Sequence, residues 1–166
     1  IVVWGLSNEI TMKGAKDPDL LENHHILNDL VHEMDKTRLT TMACVSMCDM
    51  NEEYVQIPDV VSYNHYFGWY GGNTSMNGPW FDKFHETFPN KPIGVSEYGC
   101  EGIMTYHGPE PKCKDYSEDY QALYHEHMAK VLDERPYIWS SHVWNMFDFG
   151  CAARDEGGVA GRNNKG

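Results

Sequence analysis

Apolar runs that end in polar residues recur along the chain and predict the strands of a buried sheet. Five segments have this pattern, at residues 1–7, 39–46, 59–66, 92–95 and 137–146. Apolar residues at helical spacing fall between them and predict helices over residues 17–36, 79–88 and 117–135. Asp17 and Ser117 suit the N-caps of the first and last of these helices. Because strands that alternate with helices form a parallel sheet with the helices outside, the sequence predicts an α/β fold.

Polar side chains cluster where the predicted strands end. Asn8 and Glu9 follow the first strand, and Glu97 follows the fourth, where an ordinary core would continue with an aliphatic residue. A buried carboxylate costs several kcal/mol unless it is paired or faces a cleft. The five strands fit either a small open sheet or part of a (β/α)₈ barrel, which typically has about 250 residues. Since a barrel brings the carboxyl ends of its strands to one mouth, the clustering favours a barrel with Glu9 and Glu97 facing one pocket.

Composition narrows the classes of partner. The formal net charge of −12 argues against nucleic acid and against an anionic membrane surface. No apolar run approaches the roughly 20 residues of a membrane span. The odd, scattered cysteines fit neither a disulfide framework nor a zinc site, which favours reduced thiols and a cytoplasmic protein. The histidines of the first helix, His24, His25 and His32, lack a metal-binding pattern and are expected at the surface.

Five segments together resemble the catalytic barrel of family 2 glycoside hydrolases. They read WGLSNE at 4–9, SYNHYFGWY at 62–70, GVSEYG at 94–99, VWNMFDF at 143–149 and GRNNKG at 161–166. The resemblance is closest to bacterial β-galactosidases. It implies a partial TIM (β/α)₈ barrel in which residues 1–166 form strands four to eight. Barrel strands one to three and the flanking β-sandwich domains would then lie outside this chain.

The resemblance also implies roles for individual residues. Glu9 falls on the family's acid/base, and Asn8 on the asparagine that hydrogen-bonds the sugar 2-hydroxyl. Glu97 falls on the nucleophile of a double displacement, with the two carboxyl groups roughly 5 Å apart. Tyr66 matches the tyrosine beside the nucleophile, where a donated hydrogen bond would favour the ionised carboxylate. Trp144 matches the tryptophan on the floor of the sugar subsite.

The substrate class stays open between two members of the family. Asn163 and Lys165 match the Asn-x-Lys pair with which β-glucuronidases hold the substrate carboxylate, although Lys165 also fits a solvated loop lysine. The sequences around Glu97 and Trp144 resemble the galactosidase versions more closely. Cys100 stands where some β-galactosidases have a histidine, which puts galactose hydroxyl recognition in question.

The sequence therefore predicts a retaining β-galactosidase that acts on β-galactosides or oligosaccharides. A β-glucuronidase and a non-catalytic excised fragment are the alternatives. No cofactor or protein metal ligand is assigned, and magnesium or sodium in the parent enzyme is left open. The apolar edge strand at residues 1–4 favours self-association of the isolated chain.

Overall fold

The structure is a computed structural model that describes residues 1–10, 12, 17–154 and 156–166. Its β-strands are β1 (Val3–Asn8), β2 (Leu39–Val45), β3 (Val61–Asn64), β4 (Ile93–Tyr98), β5 (Ile138–Val143), β6 (Phe149–Gly150) and β7 (Arg162–Asn163). Its α-helices are α1 (Pro18–Met34), α2 (Glu53–Gln56), α3 (Asn77–Thr87) and α4 (Glu118–Asp133), with a short 3₁₀ turn at Thr74–Met76.

The strands β1 to β5 form one sheet in chain order. The pairs β1–β2 and β2–β3 are parallel, with Val3 opposite Leu39 and Ala43 opposite Ser62. Adjacent parallel strands in sequence order, joined by helical connections, are the pattern of an α/β barrel wall. The predicted α/β fold with a parallel sheet is confirmed.

Three segments differ from their predicted structure. The polar stretch after β2 contains the short helix α2, where a loop was predicted. The last strand of the sheet ends at Val143 and not at Met146. Beyond it, where only loop was predicted, β6 and β7 pair in antiparallel fashion, with Phe149 opposite Asn163. This small ribbon joins the segment after β5 to the Asn-x-Lys segment.

The chain divides into two compact units, each with its own buried side chains. The first consists of Ile1–His65, Phe81–Ser96 and Tyr137–Ser140, and the second of Tyr66–Trp80, Glu97–Pro136 and Ser141–Gly166. The first unit buries the side chains of Met42, Tyr63, Phe81, Phe84 and Ile93. The second buries those of Trp69, Tyr120, Tyr124, Met128 and Val131. Aromatic rings supply much of both cores.

Helix α1 begins as predicted but places one histidine differently. The Asp17 side chain accepts a hydrogen bond from the Asp19 backbone N–H, which satisfies a donor of the first turn. The expectation that His24 lies at the surface is wrong, because its side chain is buried. His24 lies four residues after Leu20, on the face of the helix that Leu20 shares, and its ring lies 4.7 Å from that of Tyr54. A polar ring therefore occupies an apolar position of the helix.

Two further observations concern metals and membranes. In the part of the chain that the structure describes, no helix has the length and apolar character needed to cross a membrane. Within the same described ranges, no three His, Cys, Asp or Glu side chains come together in a way that could hold a metal ion. His32 instead contacts Asp59, with Nε2 and Oδ2 2.8 Å apart.

The N-cap of α4 provides a first test of the fold. The Ser117 hydroxyl accepts a hydrogen bond of 3.0 Å from the Tyr120 backbone N–H. Replacing an N-cap serine by alanine leaves this donor unsatisfied and costs about 1 kcal/mol. We expect Ser117→Ala to lower the free energy of unfolding, measured with urea, by about that amount. Ser141→Ala, at an exposed serine, is the matched control, and an equal loss in both variants would contradict the capping role.

Candidate active site

The first group of predicted site residues lies at the carboxyl end of β1 and is named the Glu9 cluster (Asn8, Glu9, Asn64 and Ser96). The side-chain amide of Asn64 donates to Asn8 Oδ1 at 2.9 Å and to Glu9 Oε1 at 2.8 Å. Asn64 Oδ1 accepts from the Ser96 hydroxyl at 2.7 Å. Asn64 is buried, and partners on β1, directly after β1 and on β4 hold its amide in one orientation. The Glu9 carboxylate is thereby fixed through one oxygen.

The backbone at Glu9 has an uncommon conformation. Its φ of 54° lies in the left-handed region that residues other than glycine seldom adopt. The pairing of β1 with β2 is irregular between Gly5 and Asn8, and the Glu9 N–H then bonds the Ala43 carbonyl at 2.9 Å. Irregular pairing of this kind re-aims a side chain, and such strained residues cluster at functional sites. The local geometry supports a functional role for Glu9.

The second group is named the Glu97 cluster (Tyr66, Tyr70, Glu97 and Lys165). The Tyr66 hydroxyl donates a hydrogen bond of 2.8 Å to Glu97 Oε2, as the sequence predicted. Burial and the adjacent Glu97 carboxylate both raise the pKa of Tyr66, so its phenol keeps the proton that it donates. A donor at this position favours the ionised form of Glu97, which is the form that a nucleophile requires.

Lys165 is buried against aromatic rings, so the alternative of a solvated loop lysine is wrong. Its side chain is 3% exposed. The ammonium nitrogen lies 2.9 Å from the Tyr70 hydroxyl oxygen, 4.0 Å from the centre of the Tyr66 ring and 4.5 Å from that of Tyr70. Contacts of an ammonium with ring faces are attractive. Asn163, also buried, accepts from the Lys165 backbone N–H at 3.0 Å and so holds the turn before the lysine.

The pKa of Lys165 reflects the charges around it. Burial lowers this pKa to about 8, and the positive charge of Arg154 acts in the same direction. Three carboxylates oppose the decrease: Glu101, Glu97 and Glu156. The Cys100 thiol is a further titratable neighbour. Near neutral pH the lysine therefore remains mostly cationic, beside the carboxylate of Glu97.

Trp144 presents part of its ring to solvent. Its side chain is 38% exposed, and the Phe149 ring meets it edge-on with 5.9 Å between the ring centres. The Trp144 backbone N–H bonds the Tyr98 carbonyl at 2.9 Å, and the peptide bond to Asn145 is cis. The next residue, Asn145, donates its backbone N–H to the Lys165 carbonyl at 3.2 Å. The exposed ring suits a stacking surface, and its contact with a sugar stays a prediction.

The predicted site residues thus fall into groups within each unit. Asn8 and Glu9 belong to the first unit, whereas Tyr66, Glu97, Trp144, Asn163 and Lys165 belong to the second. The separation of the Glu9 and Glu97 carboxyl groups therefore stays a prediction.

Four residues whose hydrogen bonds hold these clusters together were given no chemical role in the sequence analysis: Asn64, Tyr70, Glu101 and Arg154. Asn64 and Tyr70 lie inside the segment at 62–70 that carried the resemblance, so that segment already pointed to them. Glu101 and Arg154 lie outside all five segments, and a second acid four residues after Glu97 was the only sequence feature that could have drawn attention to Glu101.

Comparison with known proteins assigns this chain to a family. Residues 1–159 match the family described as "Glycosyl hydrolases family 2, TIM barrel domain". A curated β-glucuronidase of Bacteroides fragilis is 37% identical over 100% of this chain and 24% of its own length. The chain belongs to glycosyl hydrolase family 2 and covers part of its TIM-barrel domain. It spans about a quarter of the length of the curated relatives that it matches.

Two solved structures give the same assignment. An FMN-binding β-glucuronidase from Facaelibacterium prausnitzii L2-6 is 60% identical, with a TM-score of 0.96 over 100% of this chain and 26% of that one. A β-glucuronidase 2 of Bacteroides uniformis, covalently bound to cyclophellitol-6-carboxylate aziridine, is 35% identical, with a TM-score of 0.91 over 100% of this chain and 21% of that one. The barrel fold and the family are thereby established at both the sequence and the structural level.

Gly99 limits which residues can directly follow β4. Its φ of 153° is rare for residues with a side chain, and an added Cβ would lie 2.5 Å from the Trp144 carbonyl oxygen. We expect Gly99→Ala to lower the free energy of unfolding by about 2 kcal/mol or more, because backbone atoms would have to shift. Gly150→Ala is the control, since a Cβ there meets no atom within 4 Å. Urea unfolding of both variants measures the difference, and equal stabilities would contradict the packing limit.

Proposed function

We propose that the chain carries the catalytic carboxylates and the carboxylate-binding lysine of a retaining β-glucuronidase. The observation that carries the substrate class is the burial of the Lys165 ammonium beside the Glu97 carboxylate, on the ring faces of Tyr66 and Tyr70. A solvated loop lysine would not be held in this way. Burying a cation is costly unless anionic groups compensate for the lost water. A sugar carboxylate bound at this position would add such a partner.

The comparison with relatives favours the same substrate class over the galactosidase that the sequence pattern favoured. The curated relative and the two solved structures described above are named β-glucuronidases. Cys100 agrees with this preference, because its thiol is fully buried, and burial raises the pKa of that thiol. A buried neutral thiol is a poor substitute for a histidine that hydrogen-bonds a galactose hydroxyl.

The reaction follows the two steps of a double displacement. Glu97 attacks the anomeric carbon while Glu9 protonates the departing glycosidic oxygen, which gives a covalent glycosyl–enzyme intermediate and free aglycone. Glu9 then takes a proton from water, which attacks the same carbon and releases Glu97. Tyr66 keeps Glu97 ionised before attack through its hydrogen bond of 2.8 Å. Asn64 orients Glu9 and Asn8 through hydrogen bonds of 2.8 and 2.9 Å, and Asn8 would bond the sugar 2-hydroxyl.

The activity belongs to a longer protein. The chain spans about a quarter of its curated relatives, so the remaining barrel strands and the β-sandwich domains would come from residues outside it. Because positioning of the substrate contributes many kcal/mol to catalysis, the 166-residue chain alone is expected to be weakly active or inactive. Cytoplasmic localisation and self-association through the exposed Ile1 and Val2 stay predictions of the same kind.

The roles of the two glutamates can be separated by leaving group. In the full-length protein, Glu97→Gln should abolish turnover of all glucuronides, because no carboxylate remains to attack. Glu9→Gln should lose activity chiefly on alkyl glucuronides and keep more on 4-nitrophenyl glucuronide, whose leaving group needs little protonation. Steady-state kinetics on both substrates measures this difference. Equal losses on both substrates for Glu9→Gln would contradict the acid/base assignment.

The pKa of Lys165 leads us to expect that glucuronide hydrolysis depends on pH. Lys165 is cationic below its pKa of about 8, so kcat/KM for a glucuronide should fall as pH rises through this value. Lys165→Met should remove this alkaline limb and lower kcat/KM at pH 7 by about 10- to 100-fold, the loss of one charge-assisted contact. Hydrolysis of 4-nitrophenyl galactoside should change by less than about tenfold.

The matched control for Lys165 is Lys83→Met, at an exposed lysine of α3. It should leave both the pH profile and the glucuronide kinetics unchanged. A wild-type enzyme that prefers galactosides to glucuronides would refute the proposed substrate class directly.

A further inference from the structure

Glu101 is a buried carboxylate in which both oxygens are fully used. Its side chain is 1% exposed. Oε1 accepts from Arg154, through Nε at 3.2 Å and through Nη2. Oε2 accepts from the backbone N–H of Asn164 at 3.1 Å and from its side-chain amide at 3.0 Å. These donors hold the pKa of Glu101 below its usual value, although burial acts in the opposite direction. One oxygen thus binds an arginine and the other binds the residue before Lys165.

Arg154 extends this network to the aromatic ring that supports Lys165. Nη2 donates to the Tyr70 hydroxyl oxygen at 2.8 Å, and the arginine side chain is 13% exposed. The same phenol oxygen accepts from Lys165 Nζ at 2.9 Å. Burial raises the pKa of Tyr70 to about 12, although the contact with Arg154 opposes this, so the phenol stays neutral between two cations.

Lys165 is therefore held from two directions by the Glu101–Arg154 pair, and Arg154 also pairs with Glu156, with Nη2 and Oε2 3.1 Å apart. Glu101 fixes its backbone through Asn164, and Arg154 fixes its ammonium through Tyr70. We propose that Glu101 and Arg154 are positioning residues that set where Lys165 meets the carboxylate of the substrate, and so determine the preference for an anionic sugar. This inference rests on the proposed β-glucuronidase function, because it assigns to Lys165 the same ligand.

The pair also acts on the charge of Lys165. Arg154 lowers the pKa of the lysine, and Glu101 raises it, as do Glu97 and Glu156. Among the described residues, the rings of Tyr66 and Tyr70 and the neutral Cys100 thiol also lie near the ammonium. A second ammonium, that of Lys114, lies 4.6 Å from the centre of the Tyr70 ring. Removing the arginine charge should therefore move the titration of Lys165 to higher pH.

The test is a double-mutant cycle between Arg154 and Lys165 in the full-length protein. With 4-nitrophenyl glucuronide, Arg154→Met should lower kcat/KM at pH 7 by about tenfold, mainly through KM, and should move the alkaline limb of the pH profile upward. Arg154→Lys keeps the charge and should recover part of the loss. In the Lys165→Met background, Arg154→Met should cause less than about a twofold further loss, because the group that it positions is absent.

Arg162→Met is the matched control, because this arginine lies in the same segment as Lys165 but has an exposed side chain. Its Nη1 lies 4.0 Å from Asp148 Oδ2. It should change neither kinetics nor pH profile. Equal losses from Arg154→Met in both backgrounds, with an unmoved alkaline limb, would overturn the positioning role. If Lys165→Met leaves glucuronide hydrolysis unchanged, the proposed β-glucuronidase function is wrong. This variant therefore distinguishes failure of the proposed function from failure of the positioning role alone.

A second variant covers the case in which Arg154→Met does not fold. Tyr70→Phe removes only the hydroxyl that joins Arg154 to Lys165 and leaves the ring in place. It should raise KM for the glucuronide as Arg154→Met does, and it should not change the kinetics further in the Lys165→Met background. Wild-type kinetics in Tyr70→Phe would overturn the inference.

Discussion

The burial of polar groups at the carboxyl ends of the strands is the constraint on which both clusters depend. A buried amide or carboxylate without partners costs several kcal/mol, so each such group must find its partners among the others. Asn64 illustrates this, because its amide binds Asn8, Glu9 and Ser96 and leaves little freedom to any of them. The parallel sheet brings these residues together, and their hydrogen bonds then orient the groups proposed to perform the chemistry.

Local features of the sequence predicted local features of the structure. The caps at Asp17 and Ser117 and the apolar runs of the strands depend on neighbouring residues, and the hydrogen bond from Tyr66 to Glu97 followed from the family segments. His24 was misplaced because a titratable ring was assumed to prefer water, whereas its helical position puts it among apolar neighbours. The roles of Glu101 and Arg154 were missed because their contacts with each other, with Tyr70 and with Asn164 join residues 53 or more positions apart in the chain. No periodicity or short motif carries that information.

Reaction class and substrate class have different locations in the chain. The residues proposed for bond cleavage, Glu9 and Glu97, stand at strand ends within segments that the family shares, so the sequence alone indicated a glycosidase. The residue proposed to select the substrate, Lys165, lies in a segment without regular structure beyond the two residues of β7. Its burial depends on Tyr66 and Tyr70, about a hundred positions earlier in the chain. Only the folded structure therefore distinguished a held lysine from a solvated one.

The Tyr66 side chain contacts both the residue proposed as nucleophile and the residue proposed to select the substrate. Its hydroxyl donates to the Glu97 carboxylate, and its ring face lies 4.0 Å from the Lys165 ammonium. A displacement of Lys165 would therefore also disturb the ring whose hydroxyl donates to Glu97. In addition, the lysine and Glu97 stabilise each other's charges, which favours the ionised form of Glu97. Under the function proposed above, a sugar carboxylate bound by Lys165 would share part of the lysine's charge. Substrate binding and the ionisation of Glu97 would then be coupled through contacts that all lie within the second unit.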